Sequence, residues 1–194
     1  GVFELGTATW SGTDSLVVDV TGTGSVVVTN EATLSLTIGV WVREGRLQIE
    51  RGATIDAPVT VEDGGTLAGA NGLFGTETTV TGTVTVQSGG RLALPYGQAV
   101  PLRFADVVMQ AGSTLVVPTD SQSILVNTID LGGATLELPP PSGGGGGGVI
   151  SLGAVLTPGG ALDILKAPTS SDVSGRFANA EFGAPFVANS NVYR

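Results

Sequence analysis

Six charged side chains between positions 43 and 63 are the first candidates for chemistry in this sequence. Polysaccharide lyases and hydrolases use carboxylates together with arginine, since one carboxyl group donates a proton while another acts as base or nucleophile. The candidates are Asp56, Glu62 and Asp63 with Arg43, Arg46 and Arg51. Each also fits a turn or a strand end, where a charged side chain is solvated. Because the acidic residues form no fixed cluster outside turns and strand ends, we favour a structural role for these side chains.

Histidine and cysteine are both absent from the chain. A Ser–His–Asp triad, a Cys–His pair and a metal held by histidine or thiolate are therefore excluded. Residues Gly12-Thr13-Asp14-Ser15-Leu16 are similar to the Gly-Asp-Ser-Leu motif of esterases, but Thr13 interrupts it and no histidine could activate Ser15. Calcium-binding repeats of the Gly-Gly-x-Gly-x-Asp type are absent as well. We expect no enzymatic activity, no cofactor and no metal site.

The composition suits a thin and repetitive core. Of 194 residues, 31 are glycine, 41% are hydrophobic and 5% are aromatic. Many small β-branched residues with few rings are typical of short strands. Eight basic residues against 17 acidic ones give a formal net charge of −9. This balance argues against nucleic acid and anionic membranes as partners. The lack of cysteine fits a secreted bacterial protein that must stay unfolded during export.

One phrase of strand, tight turn and second strand recurs along the chain. In a clear copy, an alternating strand ends at Val61, Gly64 and Gly65 lie in the turn, and the next strand opens on Leu67, six positions after Val61. Glycine permits the positive φ that such a turn needs. The same six-residue step separates positions 28 and 34, 49 and 55, 86 and 92, and 109 and 115. Apolar residues at every second position are typical of half-buried strands.

The residues that open these second strands recur with a long period. From position 67 to 92, 115 and 136 the steps are 25, 23 and 21, and the interleaved earlier copies indicate two such corners per period. A period of this length without a helical stretch is typical of a solenoid. A leucine-rich repeat fits less well, because no asparagine or cysteine recurs at a fixed position. We predict an all-β, single-stranded parallel β-helix (a β-solenoid) of roughly 20–25 residues per coil. Its buried ladder should contain Leu34, Ile55, Leu67, Leu92, Leu115 and Leu136.

A single domain with one excursion is expected. Residues 1–138 should form the β-helix coils, residues 139–148 a Pro/Gly-rich surface loop, and residues 149–194 the last coils and the C-terminal cap of the same domain. Three prolines and a serine followed by six glycines cannot pack. The cap should cover the open end of the core with Phe177, Phe182 and Phe186. Because the chain begins in mid-pattern, we expect it to be a piece of a longer protein.

Two surface features are candidates for ligand contact. Trp41 lies between two valines and should point outward if both valines face the core. An outward tryptophan offers a surface for sugar stacking or adhesion, whereas Trp10 is expected to cover a corner or an end. The row of Thr81, Thr83 and Thr85 is compatible with a flat ice-binding face, although such a row usually marks the outer side of an ordinary strand.

Several of these phrases occur in an order that resembles a known family. They are Gly64-Gly65-Thr66-Leu67-Ala68-Gly69; Gly82-Thr83-Val84-Thr85-Val86-Gln87-Ser88-Gly89-Gly90-Arg91-Leu92-Ala93; Asp106 with Ala111-Gly112-Ser113-Thr114-Leu115; Ser123-Ile124-Leu125-Val126 with Leu131-Gly132-Gly133-Ala134-Thr135-Leu136; and Val173-Ser174-Gly175-Arg176-Phe177. The series resembles the C-terminal part of autotransporter passenger domains of type V secretion. It covers residues 52 to 186 in the family's order. The segment Leu94-Pro95-Tyr96-Gly97 and the polyglycine run depart from the family's pattern.

The resemblance implies a right-handed β-helix on the bacterial cell surface, exported across the outer membrane. Its last coils would act as a stalk and as a folding scaffold of the autochaperone type. The implied partner is the C-terminal membrane barrel of the same polypeptide. Two alternatives stay open: an adhesin surface that self-associates or contacts host molecules or glycans, and a polysaccharide lyase or hydrolase built on the β-helix.

Overall fold

A computed structural model describes most of the first 138 residues and several short segments beyond them. The described residues are 1–6, 8–21, 24–69, 77–94, 102–117, 124–138, 151–152, 154–155, 165–166, 173–180, 186–188 and 191–193. They form strands, turns and bends and contain no helix.

Twenty-two strands lie within these ranges. The first nine are β1 (Val2–Gly6), β2 (Thr9–Gly12), β3 (Ser15–Asp19), β4 (Ser25–Thr29), β5 (Thr33–Leu36), β6 (Gly39–Ile49), β7 (Thr54–Asp56), β8 (Val59–Val61) and β9 (Gly65–Gly69). The next seven are β10 (Thr78–Val80), β11 (Val84–Val86), β12 (Arg91–Ala93), β13 (Leu102–Met109), β14 (Thr114–Val116), β15 (Ile124–Asp130) and β16 (Thr135–Glu137). The last six are β17 (Ser151–Leu152), β18 (Ala154–Val155), β19 (Leu165–Lys166), β20 (Val173–Ser174), β21 (Phe186–Ala188) and β22 (Asn191–Tyr193).

Eighteen of these strands form one sheet that winds into three parallel stacks. Stack 1 contains β1, β4, residues 45–49 of β6, β9, β12, β14 and β16. Stack 2 contains β2, β5, β7, β10, the beginnings of β13 and β15, and β19. Stack 3 contains β3, residues 39–42 of β6, β8, β11, the ends of β13 and β15, and β20. The chain passes repeatedly from stack 1 to stack 2 to stack 3, so the predicted all-β solenoid is confirmed, with about five turns.

The core lies between the stacks and consists of apolar columns in register. The column of stack 1 contains Val26, Leu47, Leu67, Leu92, Leu115 and Leu136. The column of stack 2 contains Leu34, Ile55, Val80, Phe104 and Val126. One column of stack 3 contains Val40, Val59, Val84, Val107 and Ile129. All of these side chains are buried, because each coil removes the apolar side of its neighbour from water.

The six residues of the predicted ladder therefore belong to two columns. The leucines at positions 67, 92, 115 and 136 are in register with one another in stack 1. Leu34 and Ile55 are in register with each other in stack 2. The repeated phrase occurs both between stacks 3 and 1 and between stacks 1 and 2, and the two corners share one local sequence pattern. Leu47, one coil before Leu67, extends the stack 1 column.

A four-residue turn makes six of these corners. Its fourth residue donates its backbone N–H to the carbonyl of the first over 2.7–3.1 Å. The donor and acceptor pairs are Ala32 and Thr29, Ala53 and Glu50, Gly65 and Glu62, Gly90 and Gln87, Ser113 and Gln110, and Ala134 and Leu131. Every donor is a small, buried residue. A Cβ added at Gly90 would lie 2.7 Å from the Val61 carbonyl oxygen, so the approach of the preceding coil limits the size of this residue.

The third residue of each turn has a positive φ. The angle is 61° at Glu31, 75° at Gly52, 83° at Gly64, 80° at Gly89, 83° at Gly112 and 80° at Gly133. Glycine adopts this region without steric cost, which explains its recurrence there. Glu31 is the one residue of these six that has a side chain, so its positive φ carries a steric cost.

On the outer side of stack 1, the usual alternation of buried and exposed residues along a strand is interrupted. Ala68, Ala93 and Val116 directly follow core leucines, yet they are only 0%, 9% and 8% exposed. These three residues form a second apolar cluster, separate from the core between the stacks. The outer side of stack 1 is therefore buried at these three positions, whereas Thr66, Arg91 and Thr114 on the same side are half-buried.

The predicted loop at residues 139–148 lies outside the described residues. Of the predicted last coils, β19 pairs with β15 in stack 2 and β20 pairs with β15 in stack 3. Two antiparallel pairs, β17 with β18 and β21 with β22, lie apart from the parallel sheet.

Replacement of a core leucine should be costly. We expect Leu115→Ala to lower the free energy of unfolding by about 2–5 kcal/mol, because the leucine is fully buried and alanine would leave a cavity. Urea denaturation would measure the difference. The control is Thr114→Ala, which changes the outward neighbour in the same strand and should cost less than about 1 kcal/mol. An equal cost for the two variants would contradict the column.

Candidate functional site

Two of the six charged side chains proposed from the sequence, Arg43 and Glu62, form an ion pair. Arg43 Nε lies 3.5 Å from Glu62 Oε2, and the pair joins two neighbouring coils on the outer side of stack 3. The two side chains are 52% and 32% exposed. Solvent screens an ion pair at this exposure, so its contribution to stability is small.

Two further arginines bind neutral side chains. Arg46 Nε donates a hydrogen bond to Gln48 Oε1 over 3.2 Å, and Arg51 Nη1 donates one to Asn30 Oδ1 over 3.4 Å. Asp63 lies at the corner between stacks 3 and 1, against Gly89 of the next coil. Among the described residues, no group of three or more carboxylates could hold a metal ion.

Asp56 accepts hydrogen bonds from two hydroxyl groups on adjacent coils. Ser35 Oγ donates to Asp56 Oδ2 over 3.2 Å, and Thr81 Oγ1 donates to Asp56 Oδ1 over 2.6 Å. Thr128 Oγ1 donates to Asp106 over 2.6 Å in the same manner. The Asp56 carboxylate thus joins three coils.

Sequence analysis missed two charged contacts, the ion pair of Arg91 with Glu137 over 2.7 Å and the bidentate pair of Arg103 with Glu77. Arg103 Nε lies 2.5 Å from Glu77 Oε1, and Nη2 lies 3.3 Å from Oε2. The hydrogen bond to Glu77 and then the coulombic attraction raise the pKa of Arg103, so the guanidinium is charged at every physiological pH. The pair lies at the surface of stack 2, 26 positions apart in the chain. Only the register of β10 and β13 brings the two residues together.

Trp41 is half-buried between Val40 and Val42, whose side chains are 1% and 0% exposed. Val17 and Thr60 flank it in register on the neighbouring strands of stack 3. Its neighbours on the outer side thus include an apolar residue and a hydroxyl group, and the ion pair of residues 43 and 62 lies next to them. Contact with a sugar or a protein surface is chemically compatible with this combination.

Threonine forms a column across the coils and not a row along one strand. Thr9, Thr33, Thr54 and Thr79 are in register on the outer side of stack 2. The row Thr81, Thr83 and Thr85 considered from the sequence passes around the corner from stack 2 to stack 3. These three residues therefore do not share a flat face.

The described residues of the C-terminal cap lie on the last strands of the solenoid. The Asn179 side chain accepts a hydrogen bond from Leu136 N and donates one to Leu136 O, each over 2.8 Å. Among the described strands β16 pairs with β14 alone, and the Asn179 side-chain amide bonds to its other edge. Phe177 is half-buried and packs against the core. Phe182 lies outside the described residues, and Phe186 is in β21, where the structure describes only the backbone.

The N-terminal end of the solenoid presents apolar side chains to solvent. Phe3 is 62% exposed and Trp10 is 47% exposed, although they occupy the core columns of stacks 1 and 2. Among the described residues, β1, β2 and β3 each pair along one edge alone, with β4, β5 and β6 respectively. Most of the large hydrophobic residues that are exposed lie in the first 38 positions: Val2, Phe3, Trp10, Val17 and Ile38.

No family model, curated protein or solved structure matches this chain. A search of the described residues for a helix long and apolar enough to cross a membrane found none. The fold itself defines the class of the protein as a parallel β-solenoid. Its stacks and their ends are the features from which a function can be inferred.

The edge contact of Asn179 generates a prediction. We expect Asn179→Ala to speed amide exchange at Leu136 and to cost about 1–3 kcal/mol, because a partly buried donor and acceptor lose their partner. Asn179→Asp should cost at least as much, since a carboxylate oxygen would face the Leu136 carbonyl. Hydrogen exchange and urea denaturation would measure both effects. Asn127→Ala, at an exposed position of β15, is the control. Unchanged exchange at Leu136 in both Asn179 variants would show that the contact does not hold the edge.

Proposed function

We propose that this chain is a structural β-helical segment from the C-terminal part of an autotransporter passenger. In this role it is a stalk on the bacterial cell surface and a folding scaffold during export across the outer membrane. Its partner in export is the membrane barrel of the same polypeptide. The proposal assigns it no enzymatic activity and no cofactor.

The observation that carries the proposal is the continuous leucine column of stack 1. From Leu47 to Leu136, five coils in succession place leucine in register, and the side chains are at most 5% exposed. The stability of such a stack is approximately a sum over coils and the interfaces between them. A rod built in this way suits a stalk, which requires length and stiffness and needs no pocket.

The phrases that resemble the passenger family support the proposal in a second way. Each of four phrases consists of a tight corner between stacks 3 and 1 followed by a strand of stack 1, namely β9, β12, β14 and β16. The resemblance thus falls on one structural unit that repeats, and Gly64, Gly89, Gly112 and Gly133 occupy its position of positive φ.

The first coil of the solenoid is less buried than the coils that follow it. The N-terminal strands β1 and β2 carry mostly exposed residues. Large and fully buried side chains lie in the later coils, for example Leu47 and Leu67 and then Phe104 and Ile129. Stability should therefore be lowest in the first coil, and the later coils would template it during export.

Hydrogen exchange should detect this gradient. We expect amides of β13 and β14 to exchange more slowly than amides of β1 and β2, because local opening is easiest where few apolar contacts form. Deletion of residues 150–194 should accelerate exchange throughout residues 1–100, whereas deletion of the first 20 residues should leave β13 and β14 unchanged. Better protection of β1 and β2 would contradict the scaffold role.

An export experiment would test the proposed function directly. The chain would be placed between a folded reporter domain and the membrane barrel of an autotransporter in a bacterial host, and surface display would be measured by antibody binding. Leu92→Asp should strongly reduce display, since an unpaired carboxylate in the core prevents coil formation.

Val108→Asp is the matched control for this experiment. Val108 is 38% exposed on the outer side of stack 3, so the same substitution should fold and display normally. Equal display of the reporter with both variants, or without the chain, would contradict a scaffold role.

An adhesin surface is the second candidate function, and Trp41 is the observation that favours it. The indole is half-buried on the outer side of stack 3, next to the ion pair of Arg43 and Glu62. A lyase or hydrolase has weaker support, because Asp56 ends strand β7 of stack 2 whereas Glu62 follows strand β8 of stack 3. Self-association, or binding of a glycan that Trp41→Ala abolishes, would favour the adhesin.

A further inference from the structure

We infer that the outer side of stack 2 is an ice-binding face, on which two columns of hydroxyl groups hold an ordered layer of water against the surface of an ice crystal. The face belongs to four successive strands of this stack, β2, β5, β7 and β10. The inference rests on the β-solenoid and is independent of the export role.

Two outward positions per coil form this face. The position before the core residue is threonine in all four coils, and the position after the core residue carries a hydroxyl group in three of them. All eight residues are half-buried or exposed. Called here the hydroxyl face, they are Thr9, Thr33, Thr54 and Thr79 in the first column and Ser11, Ser35, Asp56 and Thr81 in the second.

The backbone sets the spacing of the hydroxyl face in two directions. Neighbouring strands of a sheet lie about 4.8 Å apart, and alternate residues of one strand lie about 6.6 Å apart. The pairing of the four strands continues without a register shift, although the steps between successive threonines of the first column are 24, 21 and 25 residues. Water oxygens on the prism planes of ice repeat at distances close to these two, in perpendicular directions. The regular stacking of coils thus presents hydroxyl groups in a lattice that ice can match.

The hydroxyl groups of the first column are available to a ligand. Within the part of the chain that the structure describes, no other protein group forms a hydrogen bond with the side chains of Thr9, Thr33, Thr54 and Thr79. Each threonine also carries a methyl group beside its hydroxyl. The methyl groups favour the release of liquid water, whereas the hydroxyl groups can hold waters that bridge to the ice.

The second column is held in place by Asp56. Ser35 Oγ and Thr81 Oγ1 both donate to this carboxylate, which fixes the two hydroxyl groups. Their oxygen lone pairs can still accept hydrogen bonds from water. Asp56 is the single charged residue of the hydroxyl face. A carboxylate is hydrated more strongly by liquid water than by the fixed waters of ice, so Asp56 is a defect in the lattice.

The composition of the hydroxyl face disfavours other ligands. It contains no lysine or arginine, which an anionic polymer would require, and no aromatic ring, on which a sugar would stack. The other stacks do not repeat this double column. In stack 1 the position before the core residue is arginine at Arg46 and Arg91, and the outer side of stack 3 carries Trp41 and Val108.

The ice affinity of the full chain is the test. A solution of the purified chain would be frozen slowly on a cooled probe, and absorbance would give the amount of protein in the ice and in the remaining liquid. Proteins without affinity for ice stay in the liquid as the crystal grows. We expect this chain to be enriched in the ice and to slow the recrystallisation of small ice crystals.

Thr54→Lys tests the lattice within the first column. The lysine side chain would project from the hydroxyl face and hold the ice surface at a distance, so the enrichment should be lost. Thr85→Lys is the matched control, because Thr85 is also half-buried in a three-residue strand but lies on the outer side of stack 3. It should bind ice like the native chain. Urea denaturation would show that both variants remain folded.

Asp56→Thr should complete the second column. The substitution removes the charge and supplies the missing hydroxyl group, so the enrichment in ice should exceed that of the native chain. Equal or smaller enrichment would overturn the hydroxyl lattice as the binding element.

Two further outcomes would overturn the inference. One is exclusion of the native chain from the ice, or equal enrichment of Thr54→Lys and Thr85→Lys. The other is binding to crystalline cellulose or chitin that Thr54→Lys abolishes, without enrichment in ice, since the ligand would then be a polysaccharide. Surface display in the export experiment should be normal for Thr54→Lys, because the core is unchanged. Loss of ice affinity and failure of the scaffold role are therefore distinguishable.

Discussion

Parallel stacking in register is the constraint on which the rest of this structure depends. A coil of this solenoid cannot bury its own apolar side, so every inward residue must lie on its counterpart in the next coil. The number of residues in a corner can differ from coil to coil without changing the register of the strands. Between the columns of stacks 1 and 2 the chain takes 8 residues from Leu47 to Ile55 but 13 from Leu67 to Val80, and the columns stay aligned.

The corners explain why small residues dominate the sequence. Six turns share one hydrogen bond, one position of positive φ and one small buried donor. At Gly90 a carbonyl oxygen of the preceding coil would lie 2.7 Å from an added Cβ, so the stacking distance itself excludes a larger side chain. Glycine in this protein is therefore a consequence of coil stacking as much as of turn geometry.

The sides of the solenoid and its two ends have different chemical character. On the sides, several charged groups have partners on the adjacent coil, as Arg43 has Glu62 and Asp56 has Ser35 and Thr81. At the last strand of stack 1, Asn179 occupies the exposed edge. At the first coil, the core side chains of Phe3 and Trp10 are exposed to solvent. Candidate contact surfaces in a rod of this kind are therefore its whole faces and its ends.

The sequence by itself determined the class of fold, the coil length and the corners, because a six-residue step with glycine in the turn is a local pattern that each copy repeats. It also indicated that Trp41 alternates with core valines. Only the tertiary structure decided which corner each copy occupies, so Leu34 and Leu67 belong to different stacks. The pairing of Arg103 with Glu77, the buried outer side of stack 1 and the edge contact of Asn179 likewise depend on register. Register is a relation between coils some twenty residues apart, and no local pattern contains it.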